Sequence, residues 1–162
     1  MSKKFTIFTI LIFSLFIFSC EKKQTLNTNT ATPDIKKDVK PVADNEVAVI
    51  EMENQAAYGT ITIELYSNIA PKMVARFKEL AKEGFYNGVS FHRVNPNVIQ
   101  TGDPNTKDND PTNDGQGGSD KPDVAAEFSD IKFDTGIVGA ARGQDFDTAN
   151  SQFFIMLKRQ EG

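Results

Sequence analysis

Three side chains frame the chemistry open to this chain. They are Arg93 in Val89-Ser90-Phe91-His92-Arg93-Val94, Gln100 in Gln100-Thr101-Gly102-Asp103-Pro104, and Phe154 in Ser151-Gln152-Phe153-Phe154-Ile155-Met156-Leu157. A guanidinium is permanently charged and planar, and holds its N–H donors at fixed angles. A neutral amide donates and accepts together, so it can hold a guanidinium and a carbonyl at once. An aromatic ring supplies an apolar wall. Such a set can bind and orient a polar group against an apolar wall without nucleophile, metal or cofactor. On spacing alone each residue also has a plain structural reading. An arginine or glutamine can face outward on a strand, and a phenylalanine can fill a core.

Composition removes the competing chemistries. Residues 47–162 contain no cysteine and one imidazole, His92, which rules out disulfides and thiol catalysis within them and nearly excludes zinc sites and Ser-His-Asp machinery. The same stretch holds 11 Lys and Arg against 17 Asp and Glu, a balance of −6, which argues against a nucleic-acid partner. Asp108, Asp110 and Asp114 alternate as calcium ligands do, but Asn113 stands where an EF-hand loop turns on glycine and Ser119 where it ends in glutamate. A solvated loop is the expected reading.

The first 46 residues differ from the rest. Lys3 and Lys4 precede an uncharged run, residues 5–19, followed by Cys20, the single cysteine. That run is shorter than the roughly 20 residues of a membrane-spanning helix. Ile17-Phe18-Ser19-Cys20 resembles the bacterial lipoprotein box, which implies a signal peptide over residues 1–19, lipidation of Cys20 and residence in the bacterial cell envelope, facing the periplasm or exterior. Residues 20–46 are rich in Asn, Thr, Lys and Pro and nearly free of large apolar side chains, so they read as a flexible tether with a reach of roughly 28 Å.

Residues 47–162 form the expected globular domain. The β-branched runs 47–53 and 60–65 read as a hairpin across residues 54–59. Val74, Phe77, Leu80 and Ala81 fall on one face of a helix over residues 71–83, with Pro71 in its first turn and Gly84 just past its end. Asn87-Gly88 turns the chain into a strand over residues 89–94, and a second strand follows at 98–101. Residues 103–122 read as an exposed polar loop. Two buried strands, 137–141 and 152–157, bracket another polar loop at 142–150. Strand alternation puts Phe153 in the core and Phe154 on the other face.

Taken together and in this order, the three motifs resemble the cyclophilin family of peptidyl-prolyl cis/trans isomerases, over roughly residues 58–157. The resemblance implies a mainly β fold, an antiparallel β-barrel with helices, whose closing strands and last helix would lie past Gly162. It implies an enzyme acting on X-Pro bonds of unfolded or exported proteins, without cofactor, as an expected monomer. A noncatalytic proline-peptide binding module is the alternative, as is an inactive fragment of the enzyme. By carry-over Arg93, Gln100 and Phe154 form the catalytic set, and Val98, Ile99, Ala141, Arg142 and Gln152 line the substrate groove. His92 is expected to be packed and hydrogen-bonded, and Glu127-Phe128 to pack the loop after the acidic stretch. The chain departs from the family in three places. The segment between Pro96 and Gln100 is one residue shorter and lacks an aromatic, which leaves Val98 and Ile99 to fill that part of the pocket. Asn95 stands where an apolar residue is common, and Asn150 where glycine is usual.

Overall fold

The computed structural model describes residues 34–53 and 55–159. The alternating run Thr60-Ile61-Thr62-Ile63-Glu64 becomes strand β3 (Thr60–Glu64), paired antiparallel with β2 (Val47–Glu51) so that Val47 opposes Glu64 and Glu51 opposes Thr60. One helical turn, α1 (Gln55–Tyr58), occupies the connection. The second sheet is antiparallel, in the order β4 (Arg93–Val94), β5 (Val98–Thr101), β8 (Phe153–Met156), β7 (Val138–Ala140).

Helix α2 (Pro71–Lys82) buries Leu80 and sets Val74 and Phe77 against Ile63, Leu65 and Phe153. Ala81, read from periodicity as part of that face, is exposed. Phe153 is 5% exposed and meets the rings of Phe77 and Tyr86 edge-on, with centroids 5.5 and 5.8 Å away. Edge-to-face pairs add to the area they bury, so this trio stabilises the core beyond its apolar burial. The α2 N-terminus has no cap from Ala70. The Glu127 carboxylate instead accepts from the N–H groups of Lys72 and Met73 at 3.0 Å. Satisfying two orphan donors with a negative charge at the positive end of the helix stabilises it by about 1 kcal/mol.

The strand expected over residues 89–94 survives only as β4. Ser90 is drawn off by two hydroxyls: its N–H donates to Thr106 Oγ1 (2.9 Å) and its carbonyl accepts from Thr101 Oγ1 (2.9 Å). The β4–β5 turn closes on the unusual asparagine, since Asn95 Oδ1 accepts from the N–H groups of Asn97 (2.9 Å) and Val98 (3.0 Å). A polar side chain at position 95 thus closes this turn on its own backbone.

The tether expected over residues 20–46 is corrected in its second half. Strand β1 (Ile35–Lys36) pairs in parallel with β6 (Phe128–Ser129), neither of which the sequence suggested. Lys36 Nζ donates to the carbonyls of Ile69 (2.8 Å) and Asn68 (3.3 Å). Further on, Asp44 accepts from Lys78 Nζ (2.7 Å), Ser67 Oγ (2.6 Å) and Ser67 N–H (3.0 Å). The strap is held by charge and hydrogen bonds instead of apolar burial, and so it left no hydrophobic signature.

Those bonds, Lys78 foremost, hold the Asp44 carboxyl down to about 2, below its ordinary 3.8. A depressed folded-state value means the stabilisation is complete above the unfolded value and is lost as pH falls toward 2. The Ser67 amide NMR signal should therefore titrate near pH 2, and Asp44→Asn should abolish the titration. A midpoint at 3.8 would mean that the strap is not docked in solution.

Candidate active site

Cross-strand pairing puts the three motifs on one surface. Arg93 stands opposite Gln100, Gln100 opposite Phe154, and Phe154 opposite Gly139. Directly paired residues point the same way, so guanidinium, amide and ring project from one face of the sheet. Arg93 is exposed, and its Nη1 donates to Gln100 Oε1 at 3.2 Å. The opposite face carries Phe153, as alternation required. A cavity of about 1320 Å³ touches Arg93, Gln100, Phe154, Ala141 and Arg142 and is also lined by core residues such as Ile63, Leu65, Phe77 and Phe153.

Gly139 is a residue that motif reading passed over. A Cβ there would collide with the rings of Phe154 and Phe133, so only glycine lets the Phe154 ring lie across β7. Phe133 was also missed. It is 41% exposed and packs against Phe154 with centroids 5.5 Å apart, extending the apolar surface. The period-two partners of Phe154 across the sheet were the available signal for Gly139. Phe133 lies outside any strand and offered none.

The expected groove residues divide. Ala141 is in place, its N–H donating to the Gln152 carbonyl at 2.9 Å. Gln152 joins the site through its amide: Oε1 accepts from Gln100 Nε2 (2.9 Å), while Nε2 donates to the carbonyls of Gly117 (2.8 Å) and Gly115 (3.1 Å). Arg142 borders the cavity but is turned onto its own loop. It donates to the carbonyls of Gly143 (2.8 Å) and Gln144 (3.0 Å) and stacks over Phe146, 5.0 Å from the ring centroid. Val98 shares the face of Gln100 yet is 8% exposed. Ile99 is corrected. It opposes Val94 and Ile155 in the sheet and faces the Phe153 side, because successive strand residues cannot both line one groove. Cys20 lies outside the described residues.

The neighbouring loop begins at Asp103, fully buried despite its charge. Its carboxylate accepts from the N–H groups of Asn105 (2.8 Å), Gly117 (3.2 Å) and Gly115. Asn150, at the position where glycine was expected, pins the far end of this loop by accepting from Ser119 N–H (2.8 Å) and donating to the Lys121 carbonyl (3.0 Å). His92 packs within reach of Gly115, but neither ring nitrogen has a hydrogen-bond partner among the described residues, which corrects half of its expected role. The acidic side chains Asp108 and Asp110 accept bonds within their own turns, from Asp110 N–H (2.7 Å) and Thr112 N–H (3.0 Å).

Comparison with known proteins agrees with this geometry. The family model described as "Cyclophilin type peptidyl-prolyl cis-trans isomerase/CLD" matches residues 49–161. A probable peptidyl-prolyl cis-trans isomerase of Brucella suis is 50% identical over 104 residues, covering 61% of this chain and 53% of the relative. The Schizosaccharomyces pombe isomerase ppi1 is 43% identical over 111 residues, covering 65% of this chain and 66% of that one. The chain thus spans about half the length of the bacterial relatives it matches. Among solved structures, a Cryptosporidium parvum cyclophilin-type isomerase superposes with a TM-score of 0.54 at 30% identity over 64% of each chain, and it has also been crystallised in the presence of the dipeptide Ala-Pro. A cyclophilin from Hirschia baltica shares the fold at 19% identity, with a TM-score of 0.56 over 75% of this chain and 60% of its own. With a family model matching over most of its length, the chain belongs to the cyclophilin-type peptidyl-prolyl cis-trans isomerase family.

Proposed function

We propose that this domain accelerates cis/trans isomerisation of X-Pro bonds in proline-containing segments of exported proteins, held at the bacterial cell envelope by a lipid on Cys20. Rotation about such a bond is slow because the nitrogen lone pair is delocalised into the carbonyl, which gives a barrier near 20 kcal/mol. A catalyst lowers it by binding the twisted state, in which that lone pair is localised on nitrogen, better than the planar one. Arg93 donates to the pyramidal nitrogen, Gln100 fixes the guanidinium, and Phe154 with Phe133 grips the prolyl ring. No proton changes hands, so the imidazole of His92 has no part in the step. The observation that carries this reading is the direct opposition of Arg93, Gln100 and Phe154 across the sheet, with Nη1 and Oε1 3.2 Å apart.

The envelope assignment is supported by Lys3-Lys4, the uncharged run and Ser19-Cys20. Among the described residues no helix is long and apolar enough to cross a membrane. One preparation from membranes tests both parts. Its mature chain should begin at Cys20 with added acyl mass, and it should accelerate exchange between the cis and trans signals of an Ala-Pro peptide. Binding without acceleration would make the domain a proline-peptide binding module. An intact Met1 terminus would overturn the envelope assignment.

A further inference from the structure

We propose that Gln152 and Asp103 are positioning residues for Arg93, joined to it by a relay of two side-chain amides that transmits the conformation of the loop after Asp103. A side-chain amide has a direction, since one end accepts and the other donates. The Nε2 of Gln152 sits 2.8 Å from the Gly117 carbonyl and 3.1 Å from that of Gly115. A flipped amide would bring its oxygen against two carbonyl oxygens, so those carbonyls dictate that Oε1 faces Gln100. Gln100 must then present Nε2 to Gln152, at 2.9 Å, and Oε1 to Arg93. Turning Gln100 over would set oxygen against oxygen at one end and N–H against N–H at the other. The direction of each amide is therefore fixed by the one before it.

The relay starts at a rigid point. Asp103 is fully buried, and one of its oxygens accepts from the N–H groups of both Gly115 and Gly117, which anchors the loop whose Gly115 and Gly117 carbonyls meet Gln152. Position 117 has no room for a side chain, because a Cβ there would collide with the Asp103 carboxylate. The relay ends at an exposed arginine whose side chain, among the described residues, bonds to Gln100. With Nη1 committed to Gln100, the remaining donors of a planar fork point in a defined direction. This assigns Gln152 a role besides touching the peptide, since both Nε2 donors and one lone pair of Oε1 are engaged within the protein.

Only the activity arm of the test rests on the functional reading above. In the full chain with ¹⁵N-labelled arginine, the two Nη groups of Arg93 should give separate NMR signals at low temperature. Gln152→Met keeps the bulk but removes both ends of the amide. It should merge those signals while leaving resonances outside the loop and β8 in place. In the same variant kcat should fall roughly tenfold to hundredfold at unchanged KM, the effect of a misplaced group and not of a lost ligand. If Gln152→Met does not fold, Gln152→Asn, which keeps the polarity but is too short to bridge, carries the same expectation. Separate Nη signals in a folded variant would overturn the inference, as would loss of fold in both variants, which would make Gln152 a support of the fold alone. A wild-type chain without turnover would defeat the functional reading, and the Arg93 signals would still decide the relay.

Discussion

Arg93→Ala should slow isomerisation of an Ala-Pro test peptide about a hundredfold, equivalent to about 3 kcal/mol of transition-state stabilisation, while the melting temperature barely moves. The asymmetry follows from where the side chain sits. Arg93 is exposed on an edge strand, and its side chain bonds to Gln100 across a 3.2 Å gap, so little folding energy is lost with it. On the proposed function, its N–H groups meet a full lone pair only in the twisted state, which makes the expected loss specific to the transition state. Arg93→Lys separates charge from shape. A point charge on a flexible stem cannot hold one donor on Gln100 and aim another at the prolyl nitrogen, so lysine should recover only a small part of the rate. Exchange spectroscopy on the peptide measures all three proteins. An unchanged rate in the alanine variant would reduce Arg93 to a surface charge.

How much of this could be read from the chain depends on what holds each element. The hairpin of β2 and β3, helix α2 and strand β5 are held by apolar periodicity, and sequence reading placed them within a residue or two. The opposition of Phe153 and Phe154 followed from strand alternation alone. Elements held by polar contacts were not legible. β1 is fixed by Lys36 on two backbone carbonyls and the strap behind it by Asp44 on Lys78 and Ser67, none of which has a period. Ser90 lost its strand to the hydroxyls of Thr101 and Thr106, which a propensity argument does not see.

The site was legible in part for the same reason. The resemblance named Arg93, Gln100 and Phe154, and the strand register brought them together. It also offered Val98 and Ile99 as joint groove residues, although adjacent positions on one strand must face apart. Arg142 was read as a groove residue from its place in a motif. Its guanidinium found Phe146 and two carbonyls of its own loop first, a competition that depends on three-dimensional neighbours.

The two adjacent phenylalanines should behave as different residues when each is cut to alanine. Phe153→Ala removes a ring that is 5% exposed and makes edge-on contacts with Phe77 and Tyr86, so it leaves a cavity in the core. A loss of about 3–5 kcal/mol is expected, which for a small domain is much of the total stability. Phe154→Ala removes a half-buried ring whose aromatic neighbour, Phe133, is itself 41% exposed, and should cost about 1–2 kcal/mol. Its effect on turnover should be the larger, because the prolyl ring loses the floor against which the twisted state is gripped. Urea midpoints at constant slope measure the first quantity and peptide exchange the second. Equal stability losses from the two variants would contradict the register that sets Thr101 against Phe153 and Gln100 against Phe154, and with it the face on which the site is built.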